Sequence, residues 1–269
     1  MSKELRNLFE TSKHYSIKWE KYFEIYDDIF SKFRGKKITF VEIGILNGGS
    51  LKIWREYFGP DARVIGIDLN PECKQFEGNG VEIVIGNQSD PIFWDEFFKK
   101  YGKVDIILDD GGHTNLDQIT TTIKSIENIN NDGILLIEDT STSYISEYNS
   151  NPKYSFINFC KKTVDDLNYT FPFEKKKKFN FSLNKYIYSI QFYESIVVFK
   201  VNRNRTRTNK IITNKGINSG IRDFFMKGNE IYLEKYQSIF NKISFVRLTK
   251  FKKKLKNFLN TNKIKNYFN

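Results

Sequence analysis

The sequence predicts an α/β protein whose central sheet is doubly wound and closed at one edge by an antiparallel hairpin. Apolar, β-branched runs alternate with stretches of helical spacing through most of the chain, and the last two runs have almost nothing between them. Runs without polar alternation indicate strands that are covered on both faces, and intervening helices indicate right-handed parallel crossovers. Strands too close for a helical crossover must instead form a hairpin.

The strands and helices follow one another in a regular order. The five predicted parallel strands are KITFVEIG, ARVIGIDL (62–69), VEIVIGN (81–87), VDIILDD (104–110) and GILLIED (133–139), and YIYSIQFYE with SIVVFKV forms the hairpin. The predicted helices among them are SLKIWREYF, PIFWDEFFKKY, LDQITTTIKSIENI and YSFINFCKKTVDDL. Ahead of the sheet, residues 15–34 carry aromatic and aliphatic residues at helical spacings, which predicts an amphipathic N-terminal helix that ends at Gly35.

Composition places the chain among ordinary globular proteins. Its 269 residues are 39% hydrophobic, which is enough for a buried core. The two cysteines, Cys73 and Cys160, lack CxxC spacing and a clustered histidine, so neither a disulfide framework nor a zinc site is expected. The charged N-terminus does not resemble a signal peptide, and no apolar stretch is long enough for a membrane span, so we expect a cytoplasmic protein.

The net charge of +11 is concentrated at the C-terminal end. Residues 203–269 contain 17 Lys and Arg against 3 Asp and Glu, whereas residues 1–202 carry a net charge of −3. We therefore predict three segments: an N-terminal helical segment over 1–35, a main domain over 36–201, and a basic, partly helical C-terminal extension over 202–269. Nucleic-acid binding does not follow from the isoelectric point alone, and the main domain shows no basic stripe.

The extension contains a basic amphipathic helix, FVRLTKFKKKLKNFL, whose function the sequence leaves open. Packing on the core or on another copy in a homo-oligomer is the favoured interpretation. Peripheral contact with an anionic membrane surface is the second, and nucleic acid ranks below both.

The turn after the first strand, VEIGILNGGS, predicts a ligand-binding loop. Gly44, Gly48 and Gly49 let the backbone approach a ligand and leave helix N-terminal amides exposed. Glu42 at this strand end and Asp68 at the next favour a cationic adenosine-containing ligand, because a carboxylate accepts both ribose hydroxyls and Glu42 would repel a pyrophosphate. Incidental acids at strand ends are the alternative.

A second set of polar residues follows the fourth and fifth strands. The fourth strand ends in DDGGH, with Asp109, Asp110 and His113, and the fifth ends in Glu138 and Asp139. Neighbouring strand ends meet at one edge of an open sheet, so these carboxylates should converge on a cation such as Mg²⁺, Mn²⁺ or Ca²⁺. His113 is then placed to accept a proton. The alternative is a hydrogen-bonded surface histidine beside helix-capping acids.

Together these motifs resemble the metal-dependent sugar O-methyltransferases of macrolide antibiotic pathways and the related cephalosporin hydroxylase-like group. The resemblance covers roughly residues 11–200 and rests on VEIGILNGGSLKIW, IGIDLNP, GNQSDPIFW, DDGGHT, IEDTSTSYISEY and YSIQFYESIVVFKV. It implies a Rossmann-like, class I methyltransferase fold, with S-adenosylmethionine and Mg²⁺ or Mn²⁺ as cofactors.

The resemblance also implies roles for individual residues. Asp110, Glu138 and Asp139 would hold the metal, His113 would be the base, and Tyr22 and Tyr144 would lie near the acceptor. The residues implied to contact S-adenosylmethionine are Glu42, Gly44, Gly48, Ser50, Asp68, Gln88 and Asp109.

The sequence departs from the family pattern in three places. Asn87 stands where the family has Asp, and Gly112 where it has Ser. In the N-terminal segment the family has TDK and then a His two residues before a Tyr, whereas here TSK precedes Glu20 and Tyr22. Those N-terminal positions shape the family's acceptor pocket, so the acceptor is expected to differ.

These observations predict a divalent-metal-assisted methyltransferase that acts on a hydroxyl of a nucleotide-linked or polysaccharide-bound sugar. Two alternatives remain at this point. One keeps the cofactor and changes the acceptor to another small molecule or RNA; the other is a non-catalytic, membrane-associated assembly module that binds cofactor without metal-dependent turnover.

Overall fold

The computed structural model describes residues 4–148, 152–169 and 182–206, together with positions 212, 214, 216 and 217. The chain divides into two compact units, Met1–Lys210 and Ile211–Asn269. All the elements below belong to the first unit. The predicted basic helix of the C-terminal extension lies outside the described residues, and in the described part no helix is long and apolar enough to cross a membrane.

A seven-stranded sheet forms the centre of the first unit, in the order β3-β2-β1-β4-β5-β7-β6. Strands β1 to β5 are parallel to one another, and β7 runs antiparallel to both β5 and β6. The doubly wound sheet with a terminal hairpin is therefore confirmed. The strands span Thr39–Ile43 (β1), Arg63–Asp68 (β2), Val81–Ile85 (β3), Val104–Asp109 (β4), Ile129–Ile137 (β5), Ile187–Tyr193 (β6) and Ile196–Val201 (β7).

Helices cover both faces of this sheet. The α-helices are Glu4–Thr11 (α1), Tyr22–Phe30 (α2), Gly49–Phe58 (α3), Pro91–Tyr101 (α4), Asn115–Ser125 (α5) and Phe156–Asn168 (α6), and a short 3₁₀ helix, Pro71–Phe76, connects β2 to β3. Side chains from α1, α2 and α3 form one buried cluster with one sheet face. Side chains from α4 and α6 form a second cluster with the other face. The N-terminal helices thus share a core with the main domain.

The predicted helix over 15–34 is wrong at its N-terminal end. Helix α2 begins only at Tyr22, and residues 12–21 form an irregular segment, which we call the strap. Backbone packing explains part of the difference: a Cβ on Gly49 would lie 1.9 Å from the carbonyl oxygen of Tyr15, so the strap runs directly against the turn after β1. An additional helix, α1, precedes the strap and was not predicted.

The topology gathers the predicted polar residues at one edge of the sheet. Ile43 of β1 pairs with Asp109 of β4, which in turn pairs with Ile137 of β5. The residues that follow these pairs, including Asp110 and Glu138, therefore leave the sheet side by side. The strand order reverses between β1 and β4, which is where open α/β sheets bind their ligands.

Candidate active site

A cleft of about 520 Å³ opens at the reversal point of the strand order. Its lining residues come from the loops after β1, β2, β3 and β4, and they include Gly44, Asp68, Asn87, Gln88 and His113. Gly44 has a φ of +81°, and a Cβ there would lie 2.1 Å from the carbonyl oxygen of Asp110. A side chain at Gly44 would thus force apart the loops after β1 and β4 that form the floor of the cleft.

Asp68 lies at the end of β2 on the wall of the cleft. Its Oδ2 accepts hydrogen bonds from the backbone N–H groups of Ile45 (2.9 Å) and Leu46 (3.3 Å), and its Oδ1 accepts from the N–H of Asn70 (2.9 Å). These bonds fix the carboxylate in the cleft at the position predicted for a ribose contact.

Gln88 and Asp109, both predicted to contact the cofactor, bind each other. The Gln88 Nε2 donates to both carboxylate oxygens of Asp109, at 2.9 and 3.1 Å, and the Gln88 Oε1 accepts from the N–H of Gly112. Burial raises the pKa of Asp109 to about 6. Gln88 lines the cleft, whereas Asp109 is almost fully buried, so in this structure Asp109 shapes the loop after β4 through its hydrogen bonds.

Glu42 is fully buried under the turn after β1. Its Oε2 accepts a hydrogen bond from the Ser50 hydroxyl (2.7 Å), and its Oε1 accepts from the Trp54 Nε1–H (3.1 Å). Burial raises the pKa of Glu42 to about 7, although Lys18, with its Nζ 3.8 Å away, opposes this shift. Gly48, which was also predicted to contact the cofactor, has a φ of +65° and precedes α3 in the same turn.

Replacing Glu42 with Gln should flatten the dependence of stability on pH between 5 and 7. The folded-state pKa of about 7 lies above the ordinary value of 4.5, so the folded protein retains a proton that the unfolded chain releases. Stability therefore falls as pH rises through this range and levels off above it, at a cost of about 3 kcal/mol for this one group. Urea unfolding of both proteins at several pH values measures the difference.

The control for this substitution is Glu56→Gln, which removes an exposed carboxylate from the same helix, α3. It should leave the pH dependence as it is in the native protein. A Glu42→Gln variant that kept the native slope would show that Glu42 is ionised in both states.

Three predicted residues converge beside the cleft. Ligand atoms of Asp110, His113 and Asp139 lie within 4.8 Å of one another. The His113 Nε2 is 3.8 Å from the Asp110 Oδ1 and 3.6 Å from the Asp139 Oδ2. Among the described residues, the buried Nδ1 of His113 has no hydrogen-bond partner. Two carboxylates and an imidazole at this spacing fit a divalent cation.

The backbone at this group is held in an uncommon conformation. His113 has a φ of +57° and Asp139 a φ of +52°, both in the left-handed region that non-glycine residues seldom adopt. The Thr142 hydroxyl lies 2.8 Å from the carbonyl oxygens of both residues and links the two turns. Strained positions that are held in place from both sides are typical of functional sites.

Glu138 lies next to Asp139, but its carboxylate binds other partners. Its carboxylate accepts a hydrogen bond from the buried Tyr26 hydroxyl. It also accepts from the Lys18 Nζ, which lies 3.1 Å from Oε1 and 3.2 Å from Oε2. Lys18 Nζ also donates to the Asp110 Oδ2 at 2.5 Å. Burial and the neighbouring Asp110 raise the pKa of Glu138 well above its usual range. Glu138 is therefore not part of the Asp110, His113 and Asp139 group in this structure.

The two tyrosines predicted near the acceptor have different surroundings. The Tyr22 hydroxyl donates a 2.6 Å hydrogen bond to the Asp139 Oδ1, and its ring is buried. Tyr144, in the 3₁₀ turn Thr140–Tyr144, is 75% exposed. Tyr22 thus orients a carboxylate, while Tyr144 is free to contact a ligand from solvent.

Comparison with known proteins finds similarity to methyltransferases. No family model matches the chain. It is 31% identical over 170 residues to the 8-demethyl-8-alpha-L-rhamnosyl tetracenomycin-C 2'-O-methyltransferase of Streptomyces olivaceus, a match that covers 58% of this chain and 44% of the relative. It is also 29% identical over 148 residues to the mycinamicin VI 2''-O-methyltransferase of Micromonospora griseorubida, covering 52% and 36%. The resemblance to sugar O-methyltransferases is confirmed. These matches span less than half of each relative.

The same relationship appears among solved structures. A methyltransferase of the mycinamycin biosynthetic pathway, MycE, in complex with Mg and SAH, superposes with a TM-score of 0.66 at 21% sequence identity, over 87% of this chain and 59% of that one. A second structure of MycE also contains mycinamycin VI and gives a TM-score of 0.65. The class I methyltransferase fold predicted from the motifs is confirmed.

Lys18 and Tyr26 are the site residues that sequence reasoning missed. Tyr26 has helical spacing in an aromatic segment and is indistinguishable there from a core residue, although its hydroxyl binds Glu138. Lys18 lies between the exposed residues Ile17 and Trp19, in a segment with three lysines among the nine residues from 13 to 21. Only its burial in the structure, where its side chain is 5% exposed, distinguishes Lys18 from an ordinary surface lysine.

Proposed function

We propose that this chain transfers a methyl group from S-adenosylmethionine to a sugar hydroxyl, with a divalent metal bound beside the cleft. The observation that carries the proposal is the convergence of Asp110, His113 and Asp139 at the mouth of a cleft whose wall holds Asp68. The sugar O-methyltransferase relatives and the fold they share with this chain support the same activity.

The cleft provides the groups that such a cofactor needs. Asp68 is oriented by three backbone N–H groups to accept the ribose hydroxyls, and the absence of a side chain at Gly44 lets the loops after β1 and β4 lie against each other at the cleft. Asp68 and Asp110 line the cleft and supply negative charge there, which suits a sulfonium and an ammonium group. The cleft thus distinguishes a cationic cofactor from a dinucleotide, whose pyrophosphate these carboxylates would repel.

We assign His113 as the base that accepts the proton of the acceptor hydroxyl. In the transfer, the acceptor oxygen forms a bond to the methyl carbon, the carbon–sulfur bond breaks with its electron pair returning to sulfur, and the hydroxyl proton passes to the His113 Nε2. The Thr142 hydroxyl contacts the backbone carbonyl oxygens of His113 and Asp139 and so links the turns that carry these two side chains.

Asp110 and Asp139 would hold the metal, with Glu138 as the third predicted ligand. When bound, the metal would lower the pKa of an acceptor hydroxyl and fix its orientation. Tyr22 keeps the Asp139 carboxylate in place through its hydroxyl. MycE, which shares the fold, was crystallised with Mg, and its presence there supports this assignment.

For the acceptor, we propose a sugar that is attached to a larger carrier, either a nucleotide or a surface polysaccharide. The site lies at an open edge of the sheet, and Tyr144 beside it is largely exposed. An open site with an exposed aromatic ring suits a sugar whose carrier remains in solvent. One relative is named for 8-demethyl-8-alpha-L-rhamnosyl tetracenomycin-C, in which a rhamnosyl group is attached to a larger molecule.

The test is S-adenosylhomocysteine formation from S-adenosylmethionine, with Mg²⁺ or with EDTA, across a panel of nucleotide sugars and oligosaccharides. We expect turnover with a sugar acceptor that EDTA abolishes and Mg²⁺ restores. Turnover insensitive to EDTA would remove the metal from the proposal, and turnover only on non-sugar acceptors or RNA would remove the sugar.

A further inference from the structure

Lys18 occupies the centre of the carboxylate cluster. Its Nζ lies 2.5 Å from Asp110, 3.1 Å from Glu138 and 3.8 Å from Glu42, and its side chain is 5% exposed. Three carboxylates thus surround one buried amine at ion-pair distances. The amine is therefore a fixed positive charge that neutralises part of a cluster of buried carboxylates.

The carboxylates that Lys18 neutralises overlap with the predicted metal ligands. Asp110 uses Oδ2 for Lys18 and directs Oδ1 toward His113, and Glu138 directs both oxygens to Lys18 and Tyr26. A divalent cation that took Glu138 as a ligand would need oxygens that the ammonium group now holds. A divalent cation bound to the same carboxylates would be repelled by the Lys18 ammonium group, and such repulsion is strong in a buried site.

We infer that Lys18 is a built-in counter-ion that competes with the divalent metal for Asp110 and Glu138, and that it leaves the cluster when the metal binds. The inference rests on the proposed function, because it takes these carboxylates as metal ligands. It also explains why Glu138, predicted as a ligand, lies outside the Asp110, His113 and Asp139 group. Lys18 is thus a residue that sets metal affinity through the carboxylates.

The strap is suited to such a release. Ile17 and Trp19, on either side of Lys18, are 68% and 67% exposed, so Lys18 is the residue of this stretch that reaches into the cluster. A cavity of about 70 Å³ lies between the strap and the turn after β1, and Asp110 lines it. Withdrawing Lys18 from the cluster therefore disturbs little apolar packing at its neighbours.

The first test compares Mn²⁺ binding by calorimetry in the native protein and in Lys18→Met, Lys18→Arg and Lys21→Met. Lys21 belongs to the same strap but forms an exposed ion pair with Glu194, so its replacement removes an equal charge from outside the cluster. We expect Lys18→Met to bind Mn²⁺ roughly 10- to 100-fold more tightly. Lys18→Arg, which keeps the charge, and Lys21→Met should retain the native affinity. Unchanged or weaker binding by Lys18→Met would overturn the inference.

The second test needs no variant and remains informative if Lys18→Met fails to fold. Surface lysines of the native protein are acetylated with and without saturating Mn²⁺, and each site is quantified by mass spectrometry. We expect Mn²⁺ to accelerate acetylation of Lys18 several-fold while leaving Lys21 unchanged, because release exposes the amine. If Mn²⁺ left the rate of Lys18 acetylation unchanged, the inference would be contradicted.

The outcomes separate this inference from the proposed function. Equal Mn²⁺ affinity in the native protein and Lys18→Met removes the competition but leaves the metal site in place. Failure of all four proteins to bind Mn²⁺ removes both the competition and the metal-assisted mechanism.

Discussion

Replacing His113 with Gln is expected to lower kcat by roughly 10²- to 10⁴-fold, which is the usual contribution of a positioned general base. The side chain keeps a polar end near Asp110 and Asp139 but loses a nitrogen that can accept a proton at neutral pH. Binding of S-adenosylmethionine should be retained, since Asp68 and the loop at Gly44 are untouched. Initial rates with the acceptor found in the panel, together with calorimetric cofactor binding, measure both effects.

His14 provides the matched control, because it is the only other histidine of the chain and is exposed in the strap. His14→Gln should leave kcat unchanged. If His113→Gln lost metal binding together with kcat, His113 would be a metal ligand rather than the base, as its inclusion in the three-residue group also permits.

The fold was largely predictable because each strand carries its own signal. Buried parallel strands such as Val104–Asp109 contain a continuous apolar run, here residues 106–108, and the short spacing between Tyr193 and Ile196 leaves room only for a hairpin. The strap was not predictable in this way. Its aromatic residues have helical spacing, but its conformation depends on contacts with Gly49 and with carboxylates more than 20 residues away in sequence.

The site was predictable to the extent that topology places strand ends together. Asp110 and Asp139 follow paired strands, so their convergence with His113 follows from strand order alone. The direction of each side chain does not follow from strand order. Glu138 adjoins Asp139 in sequence, yet its carboxylate binds Tyr26 and Lys18, because the chain has left β5 at Ile137 and turns through a left-handed conformation at Asp139.

The long-range partners were the least predictable part of the site. Lys18 is one of many lysines, and an exposed lysine is the usual expectation from sequence. Its burial depends on a cluster of carboxylates that only the folded chain assembles. A buried charge whose partners are distant in sequence produces no local sequence pattern from which its burial could be predicted.

Replacing Asp139 with Asn should weaken metal binding by roughly 100-fold or more. Loss of a residue that only hydrogen-bonds to a metal ligand typically costs 10- to 100-fold in metal affinity, and loss of a ligand should cost at least as much. The substitution preserves size and leaves an oxygen for the Tyr22 hydroxyl, so the turn should keep its shape. Cofactor binding should be retained, and turnover should fall with the metal. Calorimetric titration with S-adenosylmethionine and then with Mg²⁺ measures the two affinities separately.

Asp61→Asn is the control for charge, because it removes one carboxylate from an exposed position between α3 and β2. It should bind metal and cofactor as the native protein does. Native-like metal binding by Asp139→Asn would exclude Asp139 as a ligand, whereas a native protein that binds cofactor but no metal would exclude metal assistance altogether. The first result would leave Asp110 and Glu138 to hold the metal, and the second would favour another small molecule or RNA as the acceptor.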